Sequence, residues 1–534
     1  MGTPASKACH NCRRRRLKCD RAVPSCSKCF LTGQQCLGYG KLFLWNQGVA
    51  SRGKMMGKTF PVPESVSGPV GKPDSQKKEA ITVSSAQDAL VYTDPGLSVS
   101  GPLLDPLYHS LDQSSRRYLF HFATSVCSDL AIVDVTDANP FRCLVPLCRD
   151  YPILRHAVNA VGALHISCLH RRTRDSSDAD RPVQRRHTFA SDPTDPSSRA
   201  VIDALSAKQR ALALLRQALE DVSTIDVDLS IAVVHLFIIF ELLSPGGDEW
   251  RAHVQGALRL ISYLQMLAPR RASPAALIRD TVTSDCLIWY ILGSTLMKTT
   301  TLSDPFLLSS DIFASLTRAE TTSYISLPTT LLHILFRACE LSNLVSVSTM
   351  LNDPNIDFDG ILSQAHTLLQ TTKSFDAHAW ALSLERSSDS ARTLSRIHTA
   401  LAHQNALLTY ICRSVDSIAS PAALGENTET LVANIITHLS FVGSTDPVFM
   451  ATTWPTFIAG AETDNPVYRQ WAVDRLAEFW GLMPWGYVRT AIEVMETTWR
   501  LRDEAGAGVR AGGVVKREGW IQQLKELERY WLIA

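Results

Sequence analysis

Six cysteines near the start of the 534-residue chain constrain its local fold more than any other sequence feature. The unit C-x2-C-x6-C occurs twice with six residues between the copies, which places Cys9, Cys12, Cys19, Cys26, Cys29 and Cys36. Tetrahedral zinc takes four ligands, so two separate sites would need eight thiolates. Six are enough only if two of them bridge, and the repeat points to the first cysteine of each unit. The sequence therefore predicts two zinc ions, one held by Cys9, Cys12, Cys19 and Cys26 and the other by Cys26, Cys29, Cys36 and Cys9.

A run of basic residues lies between the second and third cysteines: Arg13, Arg14, Arg15, Arg16 and Lys18. Six thiolates around two Zn²⁺ leave excess negative charge, which this run offsets. The first 60 residues contain twelve Lys or Arg and one acid, whereas the remainder contains 41 basic and 51 acidic residues. A basic head on an acidic body is typical of a compact module that binds a polyanion.

These residues resemble the binuclear zinc cluster of fungal transcription factors. The resemblance covers all six cysteines, the basic run, the Cys19-Asp20 pair and Pro24. It implies two short helices organised by zinc within residues 1–45. It also implies double-stranded DNA as the partner, a nuclear location, and a first helix whose start enters the major groove over a CGG triplet.

The resemblance also suggests which basic side chains meet DNA. The two family positions that contact bases match Arg15 and Arg16, and the positions that contact the backbone match Arg13, Arg14 and Lys18. Arginine suits base recognition because its planar fork pairs with O6 and N7 of guanine. Phosphate contacts from the other cations add affinity that falls with salt.

Three other interpretations of this stretch were weighed. A disulfide framework needs an oxidising compartment, whereas residues 1–6 contain no apolar signal segment. The same residues match a short myristoylation pattern, but Pro4 and the adjacent cysteines disfavour a lipid anchor. The basic run also matches a nuclear-localisation patch, a role that is compatible with DNA binding.

Residues 46–111 are rich in Ser, Gly, Pro and Lys and predict a flexible linker. Residues 42–45 alternate in a way that fits a short strand or a docking segment. No heptad repeat occurs between residues 37 and 110, so the sequence does not support a coiled-coil dimer there. Whether the protein is a homodimer stays open at this point.

From residue 112 the apolar spacing becomes helical, beginning with Tyr118, Phe122, Val126 and Leu130 at every fourth position. Residues 171–199 are polar and contain prolines, which predicts a disordered insertion. Ten further helices are expected at 153–169, 200–220, 226–243, 249–266, 276–298, 328–350, 357–372, 391–418, 427–441 and 466–480, and two more around 488–499 and 520–531. No strand series is evident. The predicted fold is a small zinc-organised module of two short helices, a flexible linker, and a large all-α regulatory domain over 112–534.

The helical region resembles the fungal-specific transcription factor domain. The matching stretches are Asn139-Pro-Phe-Arg142, Trp250-Arg-x-His253-x-x-Gly256-Ala257 and Trp454-Pro-x-Phe-Ile-Ala-Gly460. The resemblance implies a regulatory body that responds to a small-molecule effector or a co-regulator. The residues themselves indicate core packing for Trp250, His253 and Trp454, and Gly256 is expected to admit a close neighbouring helix.

Known catalytic motifs are missing from the sequence. H-E-x-x-H, G-x-S-x-G and the P-loop do not occur, and the glycine-rich stretch 506–512 predicts a loose loop rather than a phosphate cradle. The apolar run 229–243 contains His235 and Glu241 and is too short to span a membrane, so it predicts a buried helix. The seven scattered cysteines predict reduced core residues: Cys127, Cys143, Cys148, Cys168, Cys286, Cys339 and Cys412.

The sequence therefore predicts a non-enzymatic regulator of RNA polymerase II genes that reads CGG-type half-sites through two zinc ions and six cysteines. Control of a metabolic or biosynthetic gene set follows from the family resemblance alone. The alternative is a helical protein that senses a ligand or binds a co-regulator, in which the cluster contributes little sequence specificity.

Overall fold

The computed structural model of the chain divides into two units, Met1–Ser98 and Val99–Ala534. Of the linker predicted over 46–111, residues 46–110 lie outside the residues that the structure describes, as does the predicted segment 42–45; Leu111 is described and is buried. Those residues are 8–9, 12–13, 15, 17–22, 26–32, 36, 111–132, 139–177, 196–221, 226–244, 246–266, 273–298, 309–320, 323, 325–351, 357–384, 390–510 and 519–534.

In the first unit, both cysteine repeats lead into helical backbone. The N–H groups of Arg13 and Leu17 donate to the carbonyls of Cys9 and Cys12, each at 2.9 Å, which forms a helical turn beneath the basic run. The second repeat begins helix α1, Ser27–Leu31. Turn and helix start at equivalent places because the two repeats share one spacing.

The second unit is built of helices. Its one β-bridge among the described residues joins Ala131 to Ser323, and no strand occurs in that part of the chain. Short 3-10 helices cover Pro140–Cys143, Ala276–Ile278, Pro421–Leu424 and Phe449–Thr452, and a π-helix covers Phe122–Val126. The α-helices are α2 Gln113–His121, α3 Cys127–Asp129, α4 Leu144–Leu147, α5 Pro152–Ser177, α6 Pro196–Ala218, α7 Val227–Leu243, α8 Trp250–Met266, α9 Arg279–Ser294, α10 Ser310–Ala319, α11 Thr329–Leu351, α12 Phe358–Lys373, α13 Ala377–Leu384, α14 Ser390–Ser414, α15 Thr428–Leu439, α16 Thr453–Glu462, α17 Pro466–Leu482, α18 Gly486–Arg510 and α19 Trp520–Glu526.

Two central helices organise this unit. Every residue of α7 is buried, and α7 packs against α5, α8, α9 and α18. A helix that is apolar on all sides has no face for solvent and belongs in a core. Helix α14 plays the same part for the C-terminal half, where α11, α12, α13, α15 and α16 pack against it. The prediction of a buried helix at 229–243 is confirmed, and so is an all-α body.

Capping side chains explain why several predicted helix starts are accurate. Asp226, Asp357 and Asn427 accept hydrogen bonds from N–H groups in the first turns of α7, α12 and α15. Asn465 caps α17, whose first residue is Pro466. Such side chains satisfy N–H groups that have no partner within the helix, and proline at the first position lacks the group altogether.

The insertion predicted over 171–199 is wrong at both ends, because α5 continues to Ser177 and α6 begins at Pro196. Arg172 donates to the carbonyls of Gly481 and Leu482 at 3.0 and 3.2 Å, which gives a charged residue a partner at the end of α17. Residues 178–195 lie outside the described part of the chain.

Two predictions near the C-terminus also need correction. Residues 506–510 belong to α18 rather than to a loop, since each glycine costs a helix only about 1 kcal/mol and α18 is already anchored by buried residues. The last helix ends at Glu526 instead of continuing to Trp531. Glu528 adopts φ of 51°, and the chain turns there.

One helix passes a length and composition test for crossing a membrane. The window is Thr329–Val347 in α11, and 61% of it is buried inside the protein. A core helix meets the same criterion, so this is weak evidence for a span. The seven scattered cysteines are all free thiols; six are buried and Cys143 is half-buried, as the sequence predicts.

Candidate metal centre and DNA-binding surface

The six cysteines of the first unit converge on one another. Their sulfurs form two groups of four, and within each group all sulfurs lie within 4.8 Å of one another. The first group is Cys9, Cys12, Cys19 and Cys26, and the second is Cys9, Cys26, Cys29 and Cys36. Cys9 and Cys26 belong to both groups, which is the sharing that the sequence predicts for bridging thiolates.

Sulfur spacings in this cluster fit tetrahedral zinc. Cys9 Sγ lies 3.6 Å from Cys26 Sγ and 3.8 Å from Cys29 Sγ, and Cys12 Sγ lies 3.7 Å from Cys26 Sγ. A Zn–S bond of about 2.3 Å places tetrahedral sulfurs roughly 3.8 Å apart. The residues present therefore fit two zinc ions.

The protein backbone supports the two shared sulfurs in the same way. The N–H of Cys12 donates to Cys9 Sγ and the N–H of Cys29 donates to Cys26 Sγ, both at 3.4 Å. Each bond lies within a C-x2-C segment, where the turn directs the N–H of the second cysteine toward the sulfur of the first. Hydrogen bonds of this kind favour the thiolate form that a metal needs.

Burial makes this arrangement unfavourable for thiolates without a cation. Burial raises the pKa of Cys9 far above its ordinary value. The N–H of Cys29 lowers the pKa of Cys26, but burial and the side chains of Cys29 and Cys12 outweigh it and raise that pKa to about 12. Bound zinc would supply the positive charge that offsets this cost and would join the two repeats.

Asp20 holds the second repeat against the first, a role that sequence reasoning missed. Both of its carboxylate oxygens accept from the N–H of Ser27 at 3.1 Å, at the start of α1. Hydrogen bonds from the hydroxyl and N–H of Ser27 lower the pKa of Asp20. The available signal was an acidic residue seven positions before the start of a helix. In the sequence analysis, Asp20 was noted only as part of the Cys19-Asp20 pair.

The basic run lies on the surface of the same unit. Arg13, Arg15 and Lys18 are exposed, whereas Arg14 and Arg16 lie outside the described residues. Helix α1 adds an exposed cation, Lys28, which sequence reasoning did not select. The sulfur cluster thus has exposed positive side chains around it, and their charge suits a polyanionic partner.

Buried histidine–carboxylate pairs occur in the second unit, but they have the character of core residues. His235 Nε2 lies 3.0 Å from Asp285 Oδ2, with both side chains at 1% exposure or less. The ring of His235 stacks between Phe141 and Trp289. Burial raises the pKa of Asp285 and His235 opposes that effect. Each side chain gives the other a hydrogen-bond partner inside the core, away from solvent.

Two tryptophans that the sequence comparison with the family singled out, Trp250 and Trp454, also pack in the core. Trp250 is 3% exposed and Trp454 is 2% exposed. Trp454 stacks on His403, and Trp250 donates its indole N–H to the carbonyl of Tyr530 at 3.0 Å. Gly256 is a corrected prediction, because an added Cβ there would meet no atom within 4 Å.

Comparison with known proteins finds a matching family for each unit. Residues 7–45 match the model of the fungal Zn(2)-Cys(6) binuclear cluster domain, and residues 117–533 match that of the fungal specific transcription factor domain. The chain is 29% identical to the acriflavine sensitivity control protein acr-2 of Neurospora crassa, across 99% of this chain and 97% of that protein. No significant match was found among solved structures. The matched families are transcription factors and not enzymes.

Proposed function

Because the chain belongs to the fungal transcription factors that join a Zn(2)-Cys(6) binuclear cluster to a fungal specific transcription factor domain, we propose that it reads CGG-type half-sites and regulates RNA polymerase II genes in the nucleus. It is a DNA-binding transcription regulator that binds two zinc ions through its six-cysteine domain. The observation that carries the proposal is the pair of four-sulfur groups beside exposed arginines.

The metal ligands are assigned as the six cysteines of the cluster, with Cys9 and Cys26 bridging. Each shared sulfur serves both ions, so its loss removes a ligand from both. Cys9→Ser and Cys26→Ser should therefore lower the zinc content more than Cys12→Ser does. Equal zinc loss in all three variants, measured by metal analysis of the purified chain, would contradict the bridging assignment.

DNA recognition is assigned to the basic run. Arg15 and Arg16 are proposed to meet guanines, while Arg13, Arg14 and Lys18 hold the phosphate backbone. The helical turn that carries Arg13 and Arg15 lies between cysteines of the cluster, so bound zinc would restrain its backbone. A rigid frame spares the entropy that a flexible basic segment would lose on binding.

The test uses the full chain and selection from random duplexes, followed by binding to a CGG duplex and to a scrambled one. Arg16→Ala should cost about 1–3 kcal/mol on the CGG duplex and relax the preference at one guanine. Lys18→Ala should weaken binding to both duplexes by similar factors. Lys28→Ala removes one exposed charge from α1 and is the charge-matched comparison. It should leave the preference for the CGG duplex over the scrambled one unchanged.

Two results would overturn the CGG proposal. One is selection without an enriched CGG triplet, which would favour the alternative in which the cluster contributes little specificity. The other is equal weakening of both duplexes by Arg15→Ala and Arg16→Ala, since base contacts must discriminate between sequences.

The set of genes that this regulator controls is proposed from the family and from the Neurospora crassa relative. A metabolic or biosynthetic set is the family expectation. The relative's name concerns control of sensitivity to acriflavine. By analogy with this relative, genes that govern tolerance of a toxic compound are a candidate set for this chain. A comparison of transcripts between wild-type and deletion strains would test this.

A cavity favours a second role, the binding of a small-molecule effector. A half-open space of about 460 Å³ lies between α9, α10, α11 and α12. Its apolar walls include Leu287, Ile291, Ile312 and Phe336, with Thr371 at the exposed side. Ligand sites are typically concave and mostly apolar, with volumes of about 300–1,000 Å³.

The dye 8-anilinonaphthalene-1-sulfonate is a suitable probe of this cavity. The folded chain should enhance its fluorescence, and Thr371→Trp should reduce that signal by filling the entrance. Thr367→Trp adds the same bulk one turn away on the exposed face of α12 and should leave the signal unchanged. Equal dye binding by both variants would remove support for the cavity.

A further inference from the structure

Helix α6 and the turn that follows it carry an apolar stripe that none of the described residues covers. Ile202 and Leu205 are each 52% exposed, and Leu212 and Leu219 are each 36% exposed. The helix packs on α5 through a different set of residues, among them Ala204 and Ala211, which are fully buried. These four residues recur along one helical face.

The stripe has the spacing of a coiled-coil seam. Its positions advance by three and four residues in turn, through Ile202, Leu205, Gln209, Leu212, Arg216 and Leu219. Four of the six positions are apolar, with Ile at the first position and Leu at the second, fourth and sixth. Seams of this kind pack against a second helix, whose own knobs fill the spaces between them.

We propose that α6 pairs antiparallel with α6 of a second copy of this chain. The stripe is self-complementary: a two-fold axis between Gln209 and Leu212 sets Ile202 opposite Leu219 of the second copy. A parallel pair would place Arg216 against its own equivalent, and like charges at a seam repel. The antiparallel pair sets Arg216 against Leu205, where its stem covers apolar surface and its head reaches water.

Charges beside the seam favour the same arrangement. Arg199 and Glu220 occupy equivalent flanking positions at opposite ends of the stripe, and both are exposed. An antiparallel pair brings Arg199 of one copy near Glu220 of the other, twice by symmetry. Within one copy Arg199 lies 3.3 Å from Asp203 on a side chain that is 73% exposed, so it is able to turn outward.

The helix is formed before the copies meet. Since α6 is already fixed against α5, pairing pays no cost of helix nucleation. The seam covers about 26 Å, at about 1.5 Å for each residue, which is shorter than the three to four heptads of an independent coiled coil. Pairing is therefore reversible, and it would hold two zinc clusters together without a coiled coil near the clusters.

Sedimentation of the full chain over a concentration series, without DNA, tests the proposal. The wild type should show a monomer–dimer equilibrium. Leu205→Glu with Leu212→Glu should raise the dissociation constant at least about tenfold, because two carboxylates would enter an apolar seam. Leu382→Glu makes the same change at an exposed leucine of α13 and should leave the equilibrium unchanged.

Charge reversal tests the orientation with variants that leave the core intact. Arg199→Glu and Glu220→Arg should each weaken the dimer, and the double variant should restore it. Wild-type protein that stays monomeric at every concentration would overturn the proposal. So would a dimer that neither the leucine pair nor the charge reversals weaken.

Discussion

A single glycine decides how Trp250 fits into the helical domain. A Cβ added to Gly293 of α9 would lie 2.1 Å from Cη2 of Trp250, far inside contact distance. The indole has no room to retreat, because it is 3% exposed and its N–H donates to the Tyr530 carbonyl. The close approach therefore joins α8, α9 and the C-terminal segment.

Gly293→Ala should destabilise the helical domain by about 1–3 kcal/mol, the usual cost of overpacking a core. Gly256→Ala is the matched control on α8, where the added methyl meets open space. It should be neutral or stabilise by up to about 1 kcal/mol, since alanine favours helices over glycine. Urea unfolding followed by tryptophan fluorescence measures both, and equal effects would contradict this account.

The two glycines show which close contact could not be predicted from the sequence alone. From the sequence, Gly256 was expected to admit a close neighbouring helix. The approach occurs at Gly293, 43 residues after Trp250, and only the packing of α8 on α9 reveals it. The cysteine grouping was predictable, in contrast, because ligand number and spacing act within a short stretch of chain.

At the scale of elements, helix α19 places polar side chains in the core, including a lysine. Lys525 is 1% exposed, and its Nζ donates to Ser342 Oγ at 2.7 Å and to Asn343 Oδ1 at 3.3 Å. Burial lowers the pKa of Lys525 to about 7. On the same helix, the Trp520 indole N–H donates to Glu462 at 2.9 Å. Polar contacts thus position this last helix as much as apolar ones do.

The depressed pKa of Lys525 predicts a stability that rises with pH. An unfolded lysine titrates near pH 10.4, so between about pH 7 and 10 the unfolded chain binds a proton that the native chain lacks. Below pH 7 both states are protonated, and the native state carries a buried ammonium. In the Lys525→Met variant, the free energy of unfolding should therefore rise less steeply with pH than in the wild type, by up to about 1.4 kcal/mol per pH unit.

The measurement is the free energy of unfolding in urea at pH 6.5, 7.5 and 8.5 for the wild type and for Lys525→Met. Other groups that titrate in this range contribute equally to both proteins, so the difference isolates Lys525. Parallel pH profiles would show that the lysine keeps its ordinary pKa.

Elements were predictable from sequence where local signals are strong. Periodicity and caps located α7, α12, α15 and α17, since both act within the helix itself. The ends of α5 and α18 were misjudged because polar residues and glycines suggested disorder. Arg172 of α5 shows the reason, because its hydrogen-bond partner is a carbonyl at the end of α17, 309 residues away in the sequence.

At the scale of the whole molecule, the two units have separate cores. One cluster of buried residues consists of cysteines of the first unit, and the other is built from the apolar residues of Val99–Ala534. Groups of side chains suited to hold a metal occur, within the described residues, only in the first unit. Zinc therefore supplies folding free energy to the first unit, while apolar burial stabilises the second.

Removal of zinc should consequently separate two properties of the full chain. A chelator should abolish binding to a CGG duplex, because the turn that carries the basic run loses its support. The helical circular dichroism signal and its melting temperature should change little, since the large core contains no zinc-dependent contact among its described residues. Added Zn²⁺ should restore DNA binding. If the chelator instead lowers the melting temperature of the helical domain by several degrees, the helices depend on the cluster, and the account of two independently stabilised units fails.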